Sequence, residues 1–208
     1  SHELRTPIAV FKGSLDLLQR RQDRSEDDLK AFARMRRTVE DMEGLIETLL
    51  LLARGEELGK SGQLISVNDL IPGLFDQFST MAEQRGIELK DSHQHQLKVE
   101  APPRVVQILL ANLLRNAISY THQGYVEVRV GRIGVSVIDT GIGMNTSELQ
   151  HAFEPFYRSD RGRASGSGHG LGLSIVRRLV HQFGWQVSVQ SDVGEGTRVN
   201  IDFFDQGD

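Results

Sequence analysis

Apolar residues in the first quarter of the chain recur at helical spacing. They fall at Leu4, Ile8, Phe11, Leu15 and Leu18, then at Leu29, Phe32, Val39, Met42, Ile46, Leu49 and Ala53. Such spacings, close to heptads, put each set on one face of a helix. The polar run Arg20-Arg21-Gln22-Asp23-Arg24 parts the two sets. Ser25, followed three residues later by Asp28, predicts an N-cap with a capping-box partner. Residues 1–57 therefore read as a helical hairpin. Two helices with one apolar stripe each cover only part of that surface. A second copy would close a four-helix bundle, so the pattern predicts a homodimer.

The pattern then changes. Residues 55–62 are polar and glycine-bearing, and we place a linker at 58–63 and a second domain at 64–208. Short strands are expected at 64–67, 87–91 and 97–100. Asn68 is expected to cap a helix running to about Gln84, with Gly86 just beyond its end. Pro102-Pro103 open a helix that runs to about Tyr120. Strands at 126–130 and 133–138 are joined by Gly131-Arg132-Ile133-Gly134 as a hairpin. A long stretch to Ser167 follows without regular structure. A helix at 171–183 and strands at 185–190 and 198–203, turned by Gly194-Glu195-Gly196, complete the chain. Hairpin-joined strands with helices between them predict an α+β sandwich, one mixed sheet with helices on one face.

Composition narrows the class. The 208 residues are 38% hydrophobic and 25% charged, which suits a globular protein with a core. A net charge of −4 gives no reason to expect nucleic acid as a partner. The absence of cysteine excludes disulfides and thiolate zinc sites. No apolar run approaches the roughly 18 residues of a membrane span, and no signal peptide is present. The chain starts at Ser1 without a methionine, inside a motif, and is expected to be a fragment of something longer.

Five stretches carry candidate chemistry. In Ser1-His2-Glu3-Leu4-Arg5-Thr6-Pro7, a neutral histidine nitrogen can act as nucleophile, with Glu3 accepting from the other ring nitrogen. Thr6 lies one helical turn from His2 if the helix continues through Pro7. Alternatively Thr6 is an N-cap, with Pro7 at the first helical position. Asn112, Asn116 and Tyr120 stand at four-residue spacing and form one polar stripe on an apolar helix. Asparagine oxygens suit a hard cation such as Mg²⁺, and the tyrosine ring suits a base; a stripe facing solvent is the plain alternative. Asp139 ends a buried strand before Gly141 and Gly143. A carboxylate there needs a donor, such as the exocyclic amine of adenine, and the glycines let a flat ring approach the backbone. The loop from Met144 to Ser167 holds aromatic anchors at 153–157, then Arg158 and a run of glycines and arginines suited to phosphates. Finally, Gly168-His169-Gly170-Leu171-Gly172 opens a helix and exposes backbone N–H groups to an anion.

Their order is specific: His-Glu-x-x-Thr-Pro, N-x-x-x-N-A, D-x-G-x-G, F-x-P-F, G-x-G-L-G-L. Over residues 1–205 it resembles the sensor histidine kinases of bacterial two-component systems. The resemblance implies a dimerising phosphoacceptor hairpin followed by an α/β sandwich ATP-binding domain of the Bergerat fold. It implies autophosphorylation of His2 from ATP, transfer to an aspartate of a response regulator, and phosphatase activity on that regulator. Glu3 would be the base partner of His2, and Thr6 would assist dephosphorylation. Asn116 would bind Mg²⁺, with Asn112 near the phosphates and Tyr120 against the adenine. Asp139 would accept from the adenine amine, with Gly141 and Gly143 shaping its pocket and Thr197 making a water-mediated contact. Arg158 would belong to the ATP lid, and Gly168, Gly170, Leu171 and Gly172 would lie by the phosphates. The resemblance also implies the cytoplasmic portion of a bacterial inner-membrane receptor, tethered in the full-length protein. Two departures stand out. Ser119 occupies a position where many members carry Lys or Arg, and almost nothing precedes His2. Rival readings are a Bergerat-fold ATPase clamp and a catalytically degenerate dimeric scaffold. The histidine motif on a hairpin counts against the first, and the intact asparagines, Asp139 and glycines count against the second.

Overall fold

The computed structural model describes residues 63–159 and 170–204, with eight further positions: Ser14, Ser25, Asp28, Ala31, Phe32, Met35, Val39 and Met42. The chain divides into two compact units, Ser1–Ala53 and Arg54–Asp208. His2, Glu3, Thr6, Gly168 and positions 58–62 of the expected linker lie outside the described residues.

In the first unit Ser14, Asp28, Ala31, Phe32, Met35, Val39 and Met42 are helical. The expected cap is present. Ser25 N–H donates to Asp28 Oδ2 at 3.2 Å, and Asp28 N–H donates to Ser25 Oγ at 3.2 Å. Each side chain thus satisfies a backbone donor that the first helical turn leaves over. Val39 is buried, whereas Met35 and Met42 are 47% and 49% exposed in the single chain.

The second unit is a helix-covered sheet. Its elements are β1 (Leu64–Ser66), α1 (Ile71–Glu83), β2 (Ile87–His93), β3 (Lys98–Glu100), α2 (Pro103–Tyr120), β4 (Gly124–Val130), β5 (Gly134–Asp139), α3 (Thr146–His151), α4 (Gly172–Gln182), β6 (Gln186–Asp192) and β7 (Gly196–Asp202). The main sheet has the order β2-β4-β5-β7-β6. Only β2 and β4 pair in parallel; the other pairs are antiparallel. Period-2 alternation gives it one apolar face. Val128, Val137, Val199 and Val189 stand in one register row, and Val130, Val135, Ile201 and Val187 in the next. Helices α1 and α2 pack on this face, and α4 packs on α2 and β6. Leu109, Leu110, Leu113, Leu114 and Ile118 bury α2 at the centre.

Three expectations change. The chain does not form a single sheet, because β1 and β3 make a separate two-stranded ladder. Each has three residues, and Pro102-Pro103 stop β3 from lengthening. Asn68 does not cap α1. Its Oδ1 accepts from Leu97 N–H at 2.9 Å and its Nδ2 donates to His95 O at 3.0 Å, so it pins the turn before β3. The loop after Gly143 is not wholly irregular. Asn145 and Glu148 form a reciprocal capping box and start α3, a six-residue helix. Among the described residues no helix is long and apolar enough to cross a membrane.

Candidate nucleotide site

The row of the sheet beyond the valines changes from apolar to polar. Val126, Asp139, Thr197 and Ser191 stand side by side across β4, β5, β7 and β6. The inward alternation that fills the core with valine therefore ends in a carboxylate and two hydroxyls at one end of the strands.

Asp139 is the buried centre of this end, 8% exposed. Its Oδ1 accepts from Gly141 N–H at 2.9 Å and from Thr197 N–H at 3.2 Å. Burial raises its pKa to about 6, against the lowering effect of those two N–H groups. Thr140 secures the strand end: its Oγ1 accepts from Tyr125 N–H at 3.0 Å.

The glycines after Asp139 serve the protein's own backbone. A Cβ at Gly141 would sit 2.5 Å from Tyr120 O and 2.8 Å from Asp139 Oδ1. Gly143 has φ +61, and a Cβ there would run into the carbonyl of Asp192. Gly196, with φ +99, lies likewise against the carbonyl of Asp139. Ile142 N–H donates to Tyr120 O, and Gly194 N–H donates to Ile142 O. The 139–143 turn is thereby wedged between the end of α2 and the β6–β7 hairpin.

The polar stripe of α2 runs toward this turn. Asn112, Asn116 and Tyr120 are all half-buried. Asn112 folds back, donating to Ile108 O at 2.8 Å. The amide of Asn116 lies against Gly172, where a Cβ would come within 2.9 Å of both its nitrogen and its oxygen. The start of α4 can approach α2 this closely only because residue 172 has no side chain. Tyr120 hydrogen-bonds Arg158. Burial raises the tyrosine pKa, and the charge of Arg158 opposes that rise. Arg85, from the end of α1, donates to Ser119 O at 2.9 Å and so caps the last turn of α2.

Gly170 and Leu171 link the segment before α4 to the aromatic stretch. Phe156 N–H donates to Gly170 O at 2.9 Å, and a Cβ on Gly170 would meet the Tyr157 carbonyl. Leu171 O accepts from Ile175 N–H and from Ser174 Oγ at the first turn of α4. The structure thus joins Asn116 to Gly172, Tyr120 to Gly141 and Arg158, and Asp139 to Thr197.

Comparison with known proteins gives this geometry a context. The profile described as "Histidine kinase-, DNA gyrase B-, and HSP90-like ATPase" matches residues 101–207. The profile described as "His Kinase A (phospho-acceptor) domain" matches residues 1–58. The chain belongs to the sensor histidine kinases. The chain is 34% identical to the sensor histidine kinase YkoH of Bacillus subtilis over 99% of its own length and 46% of that protein. It is 32% identical to the phosphate regulon sensor protein PhoR of Pseudomonas aeruginosa, over 98% of its length and 48% of that protein. The chain thus spans about half the length of these curated relatives. Among solved structures, full-length ShkA in complex with AMPPNP superposes with a TM-score of 0.70 at 26% identity, covering 97% of this chain and 44% of that one.

Within this histidine kinase chain, sequence reasoning passed over Ser191. It accepts from Met144 N–H at 2.8 Å and lies 2.9 Å from Thr197 Oγ1. The signal was available. Val187 and Val189 alternate inward along β6, so position 191 continues the inner face, and a serine there is polar where a core residue is expected. Thr140 and Arg85 carried no such signal, since their contacts come from distant elements.

Proposed function

We propose that this chain is a protein histidine kinase core that binds Mg²⁺–ATP and phosphorylates His2. The phosphoryl group then passes to an aspartate on the receiver domain of a response regulator. One observation carries the reading: a phosphoacceptor profile that begins at the His-Glu-x-x-Thr-Pro motif and an ATPase profile occur in a single chain. The AMPPNP carried by ShkA supports ATP as the nucleotide.

The roles follow from chemistry. Asp139 is a buried acceptor suited to the adenine amine. Tyr120, whose carbonyl accepts from Ile142 N–H in the same turn, carries a ring suited to the base. The Asn116 oxygen is a hard donor suited to Mg²⁺, which keeps most of its other positions for phosphate oxygens and water. The amide lies against Gly172, and with no Cβ at residue 172 neither its nitrogen nor its oxygen is covered from that side. Bound there, Mg²⁺ would neutralise phosphate charge. Asn112 lies one turn earlier, and Gly168, Gly170, Leu171 and Gly172 precede or open α4, whose N–H groups favour phosphate. Arg158 adds positive charge from the lid. Glu3 orients and activates His2 as a nucleophile. The chain's contribution is mainly positioning and charge neutralisation, as in phosphoryl transfer generally.

Dimerisation through the hairpin is part of this reading. Met42, on the stripe expected to be apolar, is 49% exposed in the single chain, which supports a second copy covering it. The named relatives are about twice as long, and in this reading the chain is the cytoplasmic portion of a tethered receptor.

The test is phosphoryl incorporation from radiolabelled Mg²⁺–ATP. An acid-labile, alkali-stable label is expected on the wild type and none on His2→Ala, with ATP affinity unchanged. Label persisting on His2→Ala would overturn the phosphoacceptor assignment. Thr6→Ala should spare autophosphorylation and transfer but prolong the lifetime of the phosphorylated regulator. If Thr6 is only an N-cap, the change costs about 1 kcal/mol of stability instead.

A further inference from the structure

Ser191 faces Thr197 across the β6–β7 ladder, and its hydroxyl oxygen has three polar neighbours. Met144 N lies 2.8 Å away, Gly196 O 2.9 Å and Thr197 Oγ1 2.9 Å. A serine hydroxyl has one proton and two acceptor positions. A backbone N–H can only donate, and a carbonyl can only accept. Ser191 therefore accepts from Met144 and gives its proton to Gly196. The third contact then has one consistent direction. Ser191 has no second proton, so Thr197 donates to Ser191.

That direction decides what Thr197 can offer to anything else. With its proton committed, Oγ1 of Thr197 presents lone pairs alone. Asp139 stands next to Thr197 in the β5–β7 ladder and, ionised, is also purely an acceptor. Its Oδ1 is taken by the N–H groups of Gly141 and Thr197, and among the described residues Oδ2 has no donor. The strand ends thus offer two acceptors side by side.

We infer that Ser191 is a specificity-determining positioning residue. By holding the Thr197 proton it makes this end of the sheet acceptor-only, and so favours a purine with an amine at its six position over one with a carbonyl there. A six-amino group brings two N–H donors to these acceptors. A six-oxo group brings lone pairs against lone pairs at that position, and the one donor it gains, the ring N1–H, sits on the neighbouring ring atom and cannot replace both amine protons. Ser191 acts through Thr197 and need not touch the base. The inference deepens the ATP-binding reading above and rests on it.

The experiment is calorimetric titration of the whole chain with Mg²⁺–ATP and Mg²⁺–ITP at pH 8. ITP presents a carbonyl where ATP presents the amine. The wild type should prefer ATP. Ser191→Ala frees the Thr197 hydroxyl to turn and donate, and should shrink the ITP/ATP ratio of dissociation constants by about three- to tenfold. Ser191→Cys, with a weak hydrogen-bonding thiol of similar size, should shift the ratio the same way. Ser191→Thr keeps the hydroxyl and should restore it. In a Thr197→Val background, Ser191→Ala should leave the ratio where Thr197→Val alone puts it, because the path runs through that hydroxyl. A wild-type ratio in Ser191→Ala and Ser191→Cys, or an equal loss of affinity for both nucleotides, would overturn the inference alone. Ser191 would then be only a brace for the turn at Met144. A wild-type chain that binds neither nucleotide would overturn the ATP reading and this inference together.

Discussion

The backbone N–H of Thr197 donates to Oδ1 of Asp139 at 3.2 Å, although 58 residues separate the two in sequence. The contact joins the ends of neighbouring strands and supports a carboxylate that the core would otherwise disfavour. Support is incomplete, since the pKa of Asp139 still rises from 3.8 to about 6. The native state therefore binds this proton more tightly than the unfolded chain does. Stability contributed by the protonated group is lost as pH rises from about 4 to about 6, and stays lost above that. The shift corresponds to about 3 kcal/mol. Asp139→Asn keeps an oxygen for both N–H groups and removes the charge. It should exceed the wild type in stability by up to about 3 kcal/mol at pH 8, a margin that shrinks toward pH 4. The same variant should bind ATP more weakly by roughly 1.5–3 kcal/mol, the range for a hydrogen bond to a charged group. Chemical denaturation at the two pH values and ATP titration check both halves. A margin independent of pH would contradict the account.

The two glycines of the β6–β7 hairpin should respond unequally. Both have positive φ, +84 at Gly194 and +99 at Gly196. Around Gly194 the space for a Cβ is open, whereas at Gly196 the carbonyl of Asp139 fills it. Gly194→Ala should cost about 1–2 kcal/mol from backbone conformation alone. Gly196→Ala adds a backbone clash beside the site and should cost clearly more, with weaker ATP binding as well. Urea denaturation of the two variants measures the difference, and equal costs would refute it.

Tyr120 carries two separable functions. Its ring is half-buried at the end of α2, and its hydroxyl hydrogen-bonds Arg158. Tyr120→Phe removes the second and keeps the first. Tryptic cleavage after Arg158 should accelerate, because the 154–159 segment loses a tether, while ATP affinity stays near wild type. Unchanged cleavage kinetics would show that the hydroxyl does not restrain the segment.

Asn68 offers a test away from the site. Its side chain satisfies both the Leu97 N–H and the His95 carbonyl, and it is itself buried. Asn68→Ala leaves a buried N–H without a partner, at about 1–3 kcal/mol. Were it only a helix cap, the loss would be nearer 1 kcal/mol and Asn68→Ser would recover it. The short serine cannot span both groups, so no recovery is expected in thermal unfolding.

The chain's own pattern determined the elements and their kinds. Heptad-like spacing marked the hairpin, alternation marked the strands, and paired prolines and glycines marked where α2 begins and α1 ends. These signals are local, because backbone geometry repeats every 3.6 or 2 residues and apolar side chains must follow it. The stripe of Asn112, Asn116 and Tyr120, and Asp139 before its glycines, were legible for the same reason. Tertiary structure decided what those groups meet. Gly141, Gly143 and Gly196 make room for the protein's own carbonyls, which no local pattern announces. Asn68 has the residue type of a cap yet bonds a turn nearly thirty residues away, because a buried N–H there outweighs an exposed one at a helix start. The direction of the Ser191–Thr197 hydrogen bond depends on Met144 and Gly196 arriving together from separate segments. Hydrogen-bond direction is set by the full list of donors and acceptors around a hydroxyl, and only the folded chain brings that list together.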